Sequence, residues 1–193
     1  MRKGIALVCT VFLLSSGYAQ SKRVGVFLTP QYNFSSKDRF NPESDRGKGL
    51  TFGGGAYFEM NNGGVGASFG LGYTKLSNTV TVDAVGTTRK MEFVSLPFIG
   101  TYEFNITEKF LLGLHVHVGL NYLISEKLDE IAVSSGKKLY TSYGGGLSFS
   151  YLFSDAIGIS VLPAFSAMLV FEPGSPIYMG FGGQFRFFYA FGY

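Results

Sequence analysis

Between Lys109 and Ser125 every second residue is large and apolar: Phe110, Leu112, Leu114, Val116, Val118, Leu120, Tyr122 and Ile124. The residues between them are mostly small or polar and include Gly113, His115, His117, Gly119 and Asn121. A repeat of two places the two sets on opposite faces of a β-strand. Strands of soluble domains usually stop after about 5 or 6 residues, whereas this alternation persists for 17. About 10 tilted residues cross the hydrocarbon core of a membrane, and barrel strands can run past it into the loops. The segment is therefore expected to be a transmembrane strand with lipid on its apolar face.

The same period recurs along the chain. Eight segments carry it, near 23–34, 50–60, 65–76, 91–104, 109–125, 138–153, 157–171 and 177–193. Connections 35–49, 77–90 and 126–137 are long and 172–176 is intermediate, whereas 61–64, 105–108 and 154–156 are short, so the two kinds fall on opposite ends. This predicts an all-β fold, a closed antiparallel eight-stranded transmembrane β-barrel occupying 20–193. Short turns would lie in the periplasm with both termini, and long loops outside. Pro97 and Pro163 fall within strands and remove ladder donors, which predicts local bulges. Thr79–Val82 and Gly86–Arg89 are expected to extend the third and fourth strands as a hairpin turning around Asp83 to Gly86.

Residues 1–19 read as a cleaved signal peptide. Arg2 and Lys3 precede an apolar run from Gly4 to Leu14, and Gly17-Tyr18-Ala19 suits cleavage before Gln20. Without that segment the chain has 14 basic residues (16 less Arg2 and Lys3) against 13 acidic ones, a formal charge of +1. No field for nucleic acid exists at that charge. The single cysteine, Cys9, lies within the leader, so disulfides and thiolate chemistry are excluded from the mature chain.

The last segment places Phe185, Phe187, Tyr189, Phe191 and Tyr193 at every second position. This ladder resembles the C-terminal assembly signal read by the outer-membrane barrel insertion machinery. With the strand count, the chain resembles small eight-stranded barrels of the OmpA/OmpX type, and Glu92-Phe-Val-Ser-Leu-Pro-Phe98 is similar to the fourth-strand region of PorT-like outer-membrane β-barrel proteins. The resemblance covers 23–193. It implies a location in the outer membrane of a Gram-negative-type bacterium, with lipid, lipopolysaccharide and the assembly machinery as partners. It supplies no family active site.

Chemistry must then come from the inward face. His115 and His117 share it, two residues apart, but a metal site wants at least three ligands and no third stands beside them, so no metal or other cofactor is expected. Inward Ser68, Ser95, Ser148 and Ser160 show no acid–His–Ser spacing, although a lipid-modifying hydrolase is the enzymatic alternative. Arg23, Glu59, Glu103 and Arg186 also face inward. Eight strands leave room for little more than their own side chains, so these charges and the two histidines are expected to form a polar plug. A narrow channel, or an accessory barrel of a secretion apparatus, is the other alternative. The function expected is an envelope structural or surface-interaction role without catalysis, by a monomer whose loop 77–90 offers an edge to an extracellular protein partner.

Overall fold

The computed structural model describes residues 21–36, 47–82, 85–132, 139–169 and 177–192. Residues 1–20, with the segment expected to be a signal peptide, and Tyr193 fall outside that set, as do parts of the longer connections. Nine strands follow in order: β1 Ser21–Ser35, β2 Lys48–Asn62, β3 Val65–Val82, β4 Val85–Asn105, β5 Phe110–Leu128, β6 Ile131–Ala132, β7 Leu139–Leu152, β8 Ile157–Leu169 and β9 Tyr178–Phe191. All pairings are antiparallel, in the order β4-β3-β2-β1-β9-β8-β7-β5, and a β4–β5 ladder closes the ring. Eight strands form the wall, because β6 is two residues long and pairs only with β5.

The stagger of the ring can be read from its ladder partners. From Val24 they run through Phe58, Phe69, Phe98, Val118, Tyr143, Ala167 and Met179 and return to β1 at Phe34, so the register shifts by 34 − 24 = 10 residues on closure. Small stagger on eight strands gives a narrow cylinder filled by inward side chains. The alternation seen in the sequence holds around the wall. Leu114, Val116 and Val118 are exposed outward, while Gly113 and His115 are buried inward. Glycine is required inside where aromatic rings cross the lumen: a Cβ on Gly158 would lie 2.5 Å from the Phe188 ring, and one on Gly25 2.9 Å from Tyr57.

Turn chemistry marks the short end. Asn62 leads into Gly63 and Gly64, both with positive φ (57° and 91°), the geometry of the tight hairpin turn that matches strand twist. At the opposite end three strands outrun their expected limits. β3 reaches Val82 and β4 begins at Val85, so the expected hairpin forms, with Thr79 opposite Thr88. Val85 and Gly86 already belong to β4, and residues 83–84 lie outside the described set. β5 continues to Leu128 and turns back through Asp129 and Glu130 into β6, an element absent from the sequence reading. Neither turn residue is glycine, yet both have positive φ (47° and 70°). Asp129 is held there by its amide donating to the Thr88 carbonyl and by its Oδ1 accepting from the Thr88 amide at 2.7 Å. Glu130 forms an ion pair with Lys90.

The expected bulges at Pro97 and Pro163 are corrected. Pairing skips the residues beside Pro97 between Phe69–Phe98 and Gly72–Ser95, and those beside Pro163 between Gly146–Ala164 and Phe149–Val161, but the register does not shift. A missing N–H removes a bond without inserting a residue. The register shift lies instead between Glu92 and Phe93, where Ser125 and Leu123 are the β5 partners and Ile124 has none. One extra residue inverts the phase of β5 beyond it. Glu126 consequently turns inward, 8% exposed.

Candidate functional site in the barrel lumen

Four of the six proposed lumen residues meet in one network near the short-turn end. Arg23 donates from Nη1 to Glu59 Oε1 and to Glu103 Oε2, each at 3.0 Å. Glu59 bridges the two arginines, its Oε2 accepting from Arg186 Nη1 at 2.8 Å. Arg186 further donates from Nε to Gln184 Oε1 at 2.5 Å and from Nη2 to Ser68 Oγ at 3.1 Å. Glu103 Oε1 accepts from Ser148 at 2.8 Å and from Ser150 at 2.7 Å. Two positive and two negative groups, none more than 7% exposed, thus balance in charge. Such burial is tolerable only when charges are paired and their remaining hydrogen-bonding capacity is used.

Aromatic rings complete the packing. The Arg23 guanidinium lies 4.8 Å from the Phe188 centroid and that of Arg186 4.4 Å from Tyr57, within the range of cation–π attraction. Phe27 and Ala190 join these rings in an apolar cluster. Neither Phe188 nor Tyr57 is among the residues expected in the plug. Their signal was a large aromatic among glycines on the small-residue face.

Among the described residues neither histidine is hydrogen-bonded to the four charges. His115 Nδ1 donates to the Leu147 carbonyl at 2.9 Å, and the His117 ring stacks on it with centroids 6.2 Å apart. Both line a cavity of about 140 Å³, shared with Gln31, Thr74, Ser95, Asn121 and Ser142. Among the described residues no three His, Cys, Asp or Glu groups are placed to hold a metal ion. Ser68 and Ser148 belong to the charge network, Ser150 and Ser160 are hydrogen-bonded to each other at 2.7 Å, and Ser95 donates to Thr74 Oγ1. No serine–histidine hydrogen bond forms among the described residues.

A second closure lies toward the long-loop end. Leu76, Met91, Phe93, Leu123, Tyr140 and Tyr178 form an apolar cluster across the lumen, with Phe93 edge-on to Tyr140 at 5.2 Å. Above it, the bulge brings Glu126 onto Arg89, 2.6 Å from Nε and 2.5 Å from Nη2, while Arg89 Nη1 donates to Tyr178 Oη at 3.0 Å. Asn33, Thr51, Ser35 and Asn78 add a buried polar chain beside it. The Arg89–Glu126 pairing was not legible in the sequence, because the bulge that sets the phase of Glu126 has no residue signature.

The aromatic ladder of the last strand points outward. Phe185, Phe187, Tyr189 and Phe191 are 38–53% exposed, and Tyr193 lies outside the described residues.

Comparison with known proteins finds no matching family model and no matching curated protein. Solved structures do match. Neisserial surface protein A superposes with a TM-score of 0.52 at 12% identity, over 86% of this chain and 96% of that one. The outer membrane protein OprG from Pseudomonas aeruginosa gives 0.50 at 13% identity, over 91% and 98%. This chain has the outer-membrane β-barrel fold. At such identity the likeness carries the architecture alone, so what the barrel does must be argued from its own residues.

Proposed function

We propose that this protein is a monomeric outer-membrane barrel with a sealed lumen, acting in the envelope through its surface rather than as a pore or an enzyme. The observation that carries this reading is the charge-balanced network of Arg23, Glu59, Glu103 and Arg186, which fills one section of a cylinder already closed in another by the Phe93 cluster. An ion crossing it would have to displace both arginines from buried carboxylates. A structural rather than catalytic role is supported by the engagement of Ser68, Ser95, Ser148 and Ser160 with the network, one another or threonine, and of His115 with main chain. The outward face supports the membrane location: contiguous exposed apolar surface of this extent, including Val26, Leu28, Phe69, Leu71, Val116 and Phe181, has no stable place in water.

In this reading the long connections face the exterior and both termini the periplasm. The β3–β4 hairpin, extended by β5 and β6, is the part of the described structure that projects furthest toward an extracellular partner. The PorT-like stretch Glu92–Phe98 is the sole support for an accessory secretion role, and it holds the bulge and the Pro97 interruption. Planar-bilayer recording tests the seal. No steady conductance is expected from the wild type, and a reproducible conductance that changes on Arg186 substitution would overturn the reading.

A further inference from the structure

Four lysines stand on four consecutive strands, on the outward face, at the long-loop edge of the apolar wall. Lys48 on β2 faces Thr79, Lys75 on β3 faces Glu92, and Lys90 on β4 is directly opposed by Lys127 on β5. Their side chains leave the wall on the same face as Tyr73, Val94 and Tyr122, which lie one or more turns of the pleat closer to the membrane centre. The bulge matters here as well, since the phase change that turns Glu126 inward is what turns Lys127 outward. At the same edge Phe34, the β1 partner of Lys48, carries no charge, nor do Leu139 on β7 and Ile177 before β9.

Counter-charge within the protein is incomplete. Glu92 lies 3.3 Å from Lys75, and Glu130 pairs with Lys90 from the turn above. That hydrogen bond, with the lysine charge behind it, holds the exposed Glu130 carboxyl below the usual range. Asp129 is engaged with the Thr88 amide. Among the described residues Lys48 and Lys127 have no ion-pair partner. Like charges directly opposite on one face of a sheet destabilise it; the carboxylates of Glu92 and Glu130 offset part of the charge of the four lysines, and the rim stays cationic, which a bound anion would relieve.

We propose that Lys48, Lys75, Lys90 and Lys127 bind the phosphate groups of an anionic lipid of the outer leaflet, whose acyl chains lie on the strip of Tyr73, Val94 and Tyr122 below. The inference rests on the outer-membrane reading. A lipid is favoured over free phosphate because the cationic face is continuous with an apolar one, and headgroup phosphates occur at that height beside a membrane wall. Each lysine near an anionic lipid surface contributes appreciably to attraction, and three together should be worth about a hundredfold in affinity.

The test uses the full chain in nanodiscs of phosphatidylcholine doped with diphosphorylated lipid A, with retained lipid counted by native mass spectrometry after release. The wild type is expected to retain lipid A. The combined Lys75→Gln, Lys90→Gln and Lys127→Gln variant should lose it by about a hundredfold. A Lys22→Gln, Lys109→Gln variant, altered at the other end of the barrel, should retain it, as should neither protein when lipid A is dephosphorylated. Equal retention by the rim variant, or equal retention of the dephosphorylated lipid, overturns the site. Release by millimolar inorganic phosphate makes it a free-anion site and overturns the lipid assignment. Heat-modifiable mobility is read on every sample, so that loss of binding is scored only on folded barrels, and Lys127→Gln alone stands in if the combined variant does not fold. A wild type that fails to enter lipid at all refutes the outer-membrane reading and this site with it, a result distinct from an inserted barrel that binds no lipid A.

Discussion

Replacing Arg186 by leucine removes three hydrogen bonds, to Gln184, Glu59 and Ser68, and the contact with Tyr57. Arg23 then faces Glu59 and Glu103 alone, and the buried cluster changes from neutral to a net charge of −1. Breaking a buried pair from one side typically costs about 3–5 kcal/mol. Proton uptake sets a ceiling on the electrostatic part. From an ordinary glutamate value near 4.3, neutralising one carboxylate at about pH 7 costs roughly 3.7 kcal/mol, being ~2.7 pH units at ~1.36 kcal/mol each. At about pH 5 the same step costs roughly 1 kcal/mol. A carboxylate left without its partner favours the neutral form in the barrel, so the deficit of the variant grows as pH rises above the ordinary value and shrinks as pH falls toward it.

Arg186→Leu should therefore be destabilised by about 3–4 kcal/mol near neutrality and by about 2–3 kcal/mol less near pH 5. Adding Glu59→Gln restores a neutral pair of Arg23 and Glu103, and the double variant should lie within about 1.5 kcal/mol of the wild type. Lys109→Gln, at an exposed turn, should stay within about 0.5 kcal/mol. Urea midpoints for refolding into phosphatidylcholine vesicles at the two pH values measure all four proteins. An Arg186→Leu deficit that is equal at both, or a double variant as unstable as the single one, would falsify the argument from buried charge.

Two further outcomes follow from the wall and its last strand. Leu114→Arg, on the lipid side, should cost about 2–4 kcal/mol near the midplane, whereas Gly113→Ala next to it should fail for lack of room, since its Cβ would meet the Tyr102 carbonyl at 2.1 Å; equal tolerance of arginine at 113 and 114 in vesicle refolding would invert the facing of β5. Deleting residues 191–193 should lower the amount of heat-modifiable barrel in outer-membrane fractions while leaving export intact, and wild-type yield of the truncated chain would remove the assembly role of the aromatic ladder.

How the lumen is divided was only partly legible. Arg23, Glu59, Glu103 and Arg186 could be placed inward from the period of two alone, and the narrowness of eight strands made a mutual pairing the expectation. His115 and His117 share the inward face, and nothing in the period of two says that they bond main chain and stack on each other rather than join the charges; the packing around the cavity decides that. Glu126 shows the opposite difficulty. Alternation counted from Phe110 to Ile124 loses its meaning past Ile124, because one unopposed residue in the β4–β5 ladder exchanges inside for outside. The β5–β6 turn was equally hidden, for Asp129 and Glu130 adopt positive φ without glycine, held by Thr88 and Lys90 on the neighbouring strand.

By itself the sequence determined what depends on one residue and its near neighbours: strands from the period of two, a lipid-facing side from which set is apolar, tight turns where Asn62, Gly63 and Gly64 permit positive φ. Which inward residues meet was decided by closure. Arg23 and Glu103 are 80 residues apart and sit on β1 and β4, which are not adjacent in the sheet. They touch because a stagger of ten residues around eight strands brings those two positions to one height, and because the cylinder is narrow enough for side chains to reach across it. Stagger is a property of the whole closed ladder, summed over every pairing and over the bulge beside Phe93, and no local stretch of the chain encodes that sum.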